Sequence, residues 1–425
     1  MSRGWVSRGT VGAAGCALAV VVTAACGSGG GAGSGGAASG GGAGAGGAGS
    51  SSGASGVFQI SGVLPLTGAF GPVGVTLLAG MNAEAELLNK QGGILGRPIK
   101  ITIKDSASET QQAVSAMRSV LSDPSGVDAV VAEATTSLNA AVMPIVTPTK
   151  IISVTSASGQ STFYPADFSF GSTPQDESGA ELEAIKSLGL TKLGIIGTDD
   201  DTGQADARTL AAQAPKYGLT VVNTELFDPS GSDYTAQLQK LRSAGAQALA
   251  GNLKGAPIGV FANGLSDLGW TSVKAVGDVG WGSSPLSTLV PKSVQPQVVF
   301  VGALGSTRVG GKLSALQQQF IGAIKATDGS LESLTASAVG ADMVTALKYA
   351  FDKAGSLNQA AAVKAMDAMK DDPSAATLPW QFFLGQSPKF SATVHDSSNI
   401  NPATMFALNE IGDPVYGTYA GKAIS

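Results

Sequence analysis

Histidine, cysteine and basic residues are scarce in this chain of 425 residues. It has one histidine and two cysteines, and both cysteines precede residue 27. These numbers leave few ligands for zinc and little for a thiol nucleophile or a His-dependent triad. Lys and Arg total 26 against 31 Asp and Glu, and no basic run could follow a phosphate backbone. These scarcities argue against most hydrolases, metal sites and nucleic-acid binding. We expect no enzyme activity and no cofactor.

The first 25 residues have the composition of a signal peptide. Two arginines precede an uncharged run over residues 9–25, which is short and weakly apolar for a membrane span, although a transmembrane anchor is an alternative. The run ends in Thr23-Ala24-Ala25-Cys26, which resembles the bacterial lipobox, where a cysteine is lipidated and becomes the new N-terminus. The resemblance implies a lipid anchor at Cys26 on the outer face of the cell membrane. Because Thr23 stands where Leu or Val is commoner, cleavage without lipidation is a second alternative.

Residues 27–56 contain only glycine, serine and alanine, with 16 Gly, 7 Ser and 7 Ala. Such a composition cannot build a packed core, and a flexible coil of this length spans about 30 Å. We interpret residues 26–56 as the anchor cysteine and a loose tether. The body of the chain then contains no cysteine and no disulfide.

From residue 57 onward, strand patterns alternate with helical spacing. Short apolar segments typical of strands occur at 58–64, 99–103, 129–132, 151–154, 193–196, 220–223, 248–250, 273–276 and 298–301. Helical spacing appears between them, for example over 75–90 and 110–122, and two longer helices are expected at 335–354 and 358–369. The alternation predicts an α/β fold with mainly parallel sheets flanked by helices. Ten or so strands are too many for one comfortable sheet, so we expect two lobes.

The opening segment, Gln59 to Ala113, carries a family resemblance. GVLPLTGAFGPVG is followed by a helix ending in GGILGRP, a strand ending in Asp105 and a helix opened by TQQ. This order is similar to that of type I periplasmic solute-binding proteins of the branched-chain amino acid transport class. The resemblance implies two lobes joined by three crossovers near residues 176, 302 and 378. Lobe I would comprise 57–176 and 303–378, and lobe II 177–302 and 379–425.

Ligands of open parallel sheets bind beyond the carboxyl ends of the strands, where helix N-termini converge. Thr135 and Thr136 follow the strand at 129–132 and precede a helix expected to start near Asn139. Their hydroxyl and N–H groups suit a ligand carboxylate, because a helix N-terminus offers unpaired donors. Alternatively, Thr136 or Ser137 simply caps the helix.

The family resemblance implies further ligand-binding positions. Ser156, Ala157 and Ser158 match the loop that binds a ligand's carboxylate and amine, although turn formation also explains them. Phe70 lies in the loop that helps to cover the ligand, near Val73, where relatives often have a larger aromatic residue.

Three more positions are implied in the second lobe. Thr202 matches a position where amino-acid-binding relatives often carry tyrosine, and Lys254 or Leu253 matches another. Asp278 lies near the family's acidic ligand to the α-ammonium group, with Val279 as the alternative match. If the Lys254 side chain points into the site, its positive charge would favour a second acidic or amide group on the ligand. The single histidine, His395, is expected to have a surface or hinge role.

The resemblance therefore implies a monomeric, extracytoplasmic solute-binding lipoprotein. It would capture a small carboxylate-bearing molecule and deliver it to the membrane permease of an ABC importer. Branched-chain or other neutral amino acids rank first, followed by small amides and organic acids. The alternative function is a ligand-sensing receptor or regulatory module of the same fold.

Overall fold

The computed structural model describes residues 56–124, 126–157, 163–171, 173–253, 255–284, 286–327, 334–382, 387–396, 406–411 and 418–424. Within these residues the strands form two sheets. The first sheet has the order β2-β1-β3-β4-β5, and every neighbouring pair is parallel. Its strands are β1 (Phe58–Leu64), β2 (Ile99–Asp105), β3 (Ala129–Val131), β4 (Ser153–Thr155) and β5 (Asp167–Ser169).

The second sheet has the order β11-β13-β12-β10-β9-β8-β6-β7. Strands β6 to β10 pair in parallel, whereas β12 runs antiparallel to both β10 and β13. Its strands are β6 (Lys192–Thr198), β7 (Thr220–Phe227), β8 (Ala248–Asn252), β9 (Lys274–Gly277), β10 (Val298–Ala303), β11 (Thr307–Val309), β12 (Phe406–Glu410) and β13 (Tyr419–Ala423). The predicted α/β class with mainly parallel sheets is confirmed.

Helices cover both faces of each sheet. In the first sheet, α2 and α3 pack on one face of β1 and β3, and α1 and α10 pack on the other. In the second sheet, α6 and α7 cover one face and α4 and α5 the other. The described helices are α1 (Gly71–Asn89), α2 (Thr110–Leu121), α3 (Thr136–Val146), α4 (Pro174–Ser187), α5 (Asp201–Gln213), α6 (Thr235–Ser243), α7 (Ala256–Asp267), α8 (Leu286–Leu289), α9 (Ala315–Ala326), α10 (Leu334–Ala354) and α11 (Gln359–Asp367). None of them is long and apolar enough to cross a membrane.

Two helix starts differ from the sequence prediction. Helix α1 begins at Gly71 rather than near residue 75, because Pro72 is well suited to a first helical turn. Helix α3 begins at Thr136 rather than near Asn139, since Thr135 is extended and serves as its N-cap residue. Both helices therefore start closer to the strand ends than expected.

Of the two roles expected for His395, on the surface or in a hinge, the prediction of a surface position is wrong. The ring is only 7% exposed and stacks on Phe168 with 4.0 Å between ring centroids. Its Nε2 atom lies 2.8 Å from Oδ1 of Asp367. Next to it, Asp396 pairs with Ser169 of β5. The histidine thus helps to hold residues near 395 on the edge of the first sheet.

The contact between α1 and α10 depends on two glycines. A Cβ atom on Gly80 would lie 1.8 Å from the carbonyl oxygen of Ser337, and one on Gly340 would lie 2.2 Å from that of Leu77. Real Cβ atoms do not approach backbone oxygens so closely. The two backbones can therefore meet only where both side chains are absent.

Glu84 is buried within this helix contact. Its side chain has no exposed surface, and its Oε1 accepts a hydrogen bond of 3.1 Å from the Thr345 hydroxyl. Burial raises the pKa of Glu84 to about 7, against an opposing effect of hydrogen bonds from Thr345 and Gln381. The folded protein therefore binds a proton here at pH values where the unfolded chain has already released it.

We expect Glu84→Gln to remove part of the pH dependence of stability. Between pH 4.5 and about 7 the native carboxyl group holds more protons than the unfolded one, so the free energy of unfolding falls as pH rises through this window. Relative to wild type, the variant should gain about 3 kcal/mol between pH 5 and pH 8. Urea unfolding at both pH values measures this difference. Glu86→Gln, which removes a half-exposed partner of Lys90 on the same helix, is the control and should show no comparable gain.

Candidate functional site

The carboxyl ends of the first-sheet strands bring several loops to one edge. Asp105, the last residue of β2, holds the loop that follows β1. Its carboxylate accepts hydrogen bonds from the N–H groups of Leu66 (2.8 Å), Thr67 (3.2 Å) and Ala107 (2.7 Å), and from the Thr67 hydroxyl (2.6 Å). Burial acts to raise the pKa of Asp105, but these bonds outweigh it and lower that pKa. The group is therefore a fixed negative charge that organises the loop.

The loop after β2 is held in an unusual backbone conformation. Ala107 and Ser108 both have positive φ angles, of 50° and 63°, which non-glycine residues rarely adopt. The Ser108 hydroxyl accepts a hydrogen bond from Phe70 N–H (3.0 Å) and donates one to the Thr67 carbonyl oxygen (2.8 Å). Phe70 itself precedes α1 and is 42% exposed, as is Val73. The loops joined by Ser108 therefore present two apolar side chains, Phe70 and Val73, at the edge where α1 begins.

Helix α3 begins at the same edge without a side-chain cap. Thr135 occupies the N-cap position and makes no capping hydrogen bond. Its Oγ1 atom is buried and has no hydrogen-bond partner among the described residues. Thr136 is the first helical residue and is exposed. Thr135, rather than Thr136 or Ser137, therefore occupies the N-cap position, and its side chain forms no capping hydrogen bond.

The loops after β3 and β4 are joined by hydrogen bonds. The Thr155 hydroxyl donates to the carbonyl oxygen of Glu133 and accepts from Ala157 N–H (3.0 Å). The Ser156 hydroxyl donates to the Ala134 carbonyl oxygen over 3.2 Å. The structure thus brings the predicted residues Ser156 and Ala157 together with the start of α3. Ser158 lies outside the described residues.

A second group of polar residues stands at the carboxyl ends of β8 and β9. Asp278 follows β9 and is only 3% exposed. It accepts a hydrogen bond of 2.8 Å from Nδ2 of Asn252, the last residue of β8. The alternative match, Val279, begins the following 3-10 turn. Asp278 is therefore a buried acid held in place at a strand end, rather than a solvated loop residue.

Behind these strand ends lies a buried glutamate, Glu181 of α4. Its Oε1 accepts a hydrogen bond of 3.2 Å from Gly251 N–H. Burial raises the pKa of Glu181 well above its usual value, and the negative charges of Asp206, Asp278 and Glu177 raise it further. The negative charge at this edge of the second sheet therefore comes from those three acids, whereas Glu181 itself is shifted towards its neutral form.

The remaining predicted residues of the second sheet differ in their placement. Thr202 is exposed in the first turn of α5, whose N-terminus is capped by Asp200 through a bond of 2.8 Å to Gly203 N–H. Leu253 is completely buried in the apolar core, so its side chain packs away from the edge. Lys254 lies outside the described residues, as does Cys26.

Sequence reasoning missed four residues that support this site: Glu133, Glu181, Asn252 and Ser108. Glu133 had a visible signal, since it is the only charge in the run AVVAEATTS. Glu181 sits on a helix among other polar residues, and its burial depends on how α4 docks on the second sheet. Asn252 and Ser108 act through contacts with residues far along the chain, which no local pattern reveals.

Residues 58–396 match the family model described as periplasmic binding protein. The chain belongs to this family of solute-binding proteins. Among curated relatives, the Leu/Ile/Val-binding protein homolog 3 of Brucella melitensis biotype 1 is 28% identical over 301 residues, which are 69% of this chain and 79% of that protein. The family assignment made from the opening segment is therefore confirmed.

Solved structures share the family fold. A putative branched-chain amino acid ABC transporter from Rhodospirillum rubrum superimposes with a TM-score of 0.64 at 21% identity, covering 74% of this chain and 90% of that one. A solute-binding protein from R. palustris, in complex with 4-hydroxybenzoate, gives a TM-score of 0.61 at 15% identity, covering 87% and 96%. Proteins of this fold thus include one whose bound ligand is not an amino acid.

The described residues include no group of three or more His, Cys, Asp or Glu side chains arranged to hold a metal ion. The acids of the two edges are instead spread over separate strands and loops. What the described site offers a ligand is therefore hydrogen bonds, fixed negative charge and some apolar surface.

We expect Asp105→Asn to loosen the first-sheet edge. The variant keeps the shape of the side chain but loses the charge that strengthens its hydrogen bonds to three backbone N–H groups, so the free energy of unfolding should fall by about 1–3 kcal/mol. Thr67→Val removes a single hydroxyl partner of the same carboxylate and should cost less than half as much. Chemical denaturation of the two variants measures both losses. Equal losses would mean that the hydroxyl, rather than the backbone contacts, holds the loop.

Proposed function

We propose that the chain is an extracytoplasmic binding protein that captures an amino acid between its two sheets and delivers it to an ABC importer. The observation that carries this proposal is the uncapped start of α3, with the buried Thr135 hydroxyl beside it, at the carboxyl edge of a parallel sheet. An anion is stabilised at a helix start by the N–H groups of the first turn, which point towards it, and by the helix dipole. The ligand's carboxylate is assigned to this position.

The charges at the edge of the second sheet suit the ammonium group of an amino acid. Helix α5 is already capped by Asp200, so it has less to offer a carboxylate than α3. Asp278 is an acid held by Asn252 at a strand end and is assigned to the ligand's ammonium group. The exposed Phe70 and Val73 offer apolar contact to an aliphatic side chain. A neutral amino acid with a branched side chain therefore ranks first.

The two lobes are proposed to correspond to the two sheets with their covering helices. Helices α9 to α11 follow the second sheet in sequence but are assigned to lobe I, because α9 and α10 pack against α1. We propose that the third crossover between the lobes lies between residues 396 and 406, rather than near residue 378, because Asp396 pairs with Ser169 of β5. Residues 387–396 then belong with lobe I.

Membrane attachment through Cys26 is part of the proposal. Its support comes from the sequence alone: the uncharged run over residues 9–25, the small residues before Cys26, and a tether of 30 Gly, Ser and Ala residues. A lipid at Cys26 would hold the binding domain at a root-mean-square distance of about 30 Å from the anchor, within reach of a permease. A single mature cysteine suffices for this role.

The ligand assignment predicts stabilisation by leucine, isoleucine or valine. A ligand at 100 times its dissociation constant should stabilise the protein by about 2.7 kcal/mol, which thermal unfolding detects. Asp278→Asn should weaken amino acid binding by about tenfold or more, because it removes the charge opposite the ammonium group. Asp228→Asn, which changes the acid following the outermost strand β7, is the matched control and should leave affinity unchanged. Stabilisation by 4-hydroxybenzoate or a small amide, with none by the three amino acids, would contradict the amino acid assignment.

The anchor assignment predicts that Cys26→Ser releases the protein from the membrane. The wild-type chain should fractionate with membranes, and its mature mass should include a lipid on residue 26. The variant should appear in the soluble extracytoplasmic fraction, with binding of ligand intact because residue 26 is remote in sequence from the folded body. A wild-type mature chain that begins at Cys26 without added lipid mass would show that the tether is not an anchor.

A further inference from the structure

Glu133 is a buried acid inside the loop that we propose receives the ligand's carboxylate, and the following inference rests on that proposed function. It lies between β3 and α3, two residues before the N-cap residue Thr135. The side chain has no exposed surface, and its Oε2 accepts a hydrogen bond of 2.8 Å from Ala134 N–H. The Thr155 hydroxyl holds its backbone carbonyl oxygen. The position of this carboxyl group is therefore closely constrained.

The surroundings of Glu133 disfavour a negative charge. Asp105 is the only charged group that acts on it among the described residues, and that charge has the same sign. The one neutral polar side chain facing it is Ser106, and the Ser106 Oγ and Glu133 Oε1 atoms are both buried without a well-formed hydrogen bond in the described part of the chain. The Ser106 hydroxyl and the hydrogen bond from Ala134 N–H favour the ionised form of Glu133, but burial outweighs them. Burial, aided by Asp105, raises the pKa of Glu133 to about 7.

An ionised Glu133 and a bound carboxylate would be like charges within one short loop. Because the Glu133 side chain is buried, its charge is screened less by water than a surface charge would be. We propose that Glu133 is a positioning residue that must be protonated for a carboxylate ligand to bind at the start of α3. Free protein above neutral pH therefore takes up one proton when it binds the ligand.

The sign of the pH dependence follows from this coupling. Below pH 7 Glu133 is already neutral, and the affinity for a carboxylate does not depend on pH through this group. Above pH 7 the proton must be taken from solution, so affinity falls as pH rises, by at most tenfold per pH unit for one proton. Asp105 does not contribute to this change, since its own pKa is lowered and it is ionised throughout.

Isothermal titration of L-leucine from pH 6 to pH 8.5 tests the proposal, with wild type compared with Glu133→Gln and Glu84→Gln. The glutamine at position 133 keeps an acceptor for Ala134 N–H but cannot ionise. Glu84 is the matched control, because burial also raises its pKa to about 7 but it lies in the contact between α1 and α10. Thermal unfolding of each variant checks that it folds.

Wild type and Glu84→Gln should bind leucine about 30-fold more weakly at pH 8.5 than at pH 6, whereas Glu133→Gln should bind equally at both. Wild-type titrations at pH 8 in two buffers of different ionisation enthalpy should show uptake of one proton, a result that requires no variant. Leucine binding without a pH dependence, or with one that survives in Glu133→Gln, would overturn this inference alone. Leucine that fails to bind at any pH would overturn the amino acid assignment, and this inference with it.

Discussion

The close contact between α1 and α10 is the constraint on which the rest of the molecule depends. The chain builds the first sheet, continues through most of the second, and then returns to cover the first sheet with α10. This return works only because Gly80 and Gly340 allow two helix backbones to touch. The contact fixes α1 along its length, and the N-terminus of α1 lies at the strand edge where the site is built. Packing on one side of the sheet thereby positions the loops at its end.

Buried acids recur throughout this structure. Glu84, Glu133 and Glu181 are each without exposed surface, and burial raises the pKa of all three. Asp105 behaves in the opposite way, since hydrogen bonds from backbone N–H groups keep its charge stable. A carboxyl group is therefore a fixed negative charge in one position and a proton-binding group in another. The difference lies in how many donors the fold provides to each carboxyl group.

The strand pattern could be predicted closely from the sequence because buried parallel strands are short apolar runs. Strand β1 has the predicted bounds, and each of the other eight predicted strands overlaps an observed one. Four described strands lie outside the predicted segments: β5 and β11 have only three residues each, and β12 and β13 follow the region where the alternation of strands and helices ends. The start of α3 was misplaced because Thr135, Thr136 and Ser137 are equally suited to a loop and to a helix start. Of the candidate site, the loops at the strand ends were identified, whereas their supporting residues were not.

The sequence by itself determined the fold class, the family and the position of the polar loops, because hydrophobic periodicity and a run of motif residues are local properties of a chain. Only the tertiary structure decided which of those polar groups are buried, paired or charged. Glu133 and Asp105 are both acids at strand ends, and nothing in their neighbouring residues predicts that one is surrounded by N–H donors and the other is not. Two of the three N–H donors come from Leu66 and Thr67, about 40 positions away from Asp105, and their arrival depends on the pairing of β1 with β2. The environment of a carboxyl group is a property of three-dimensional packing.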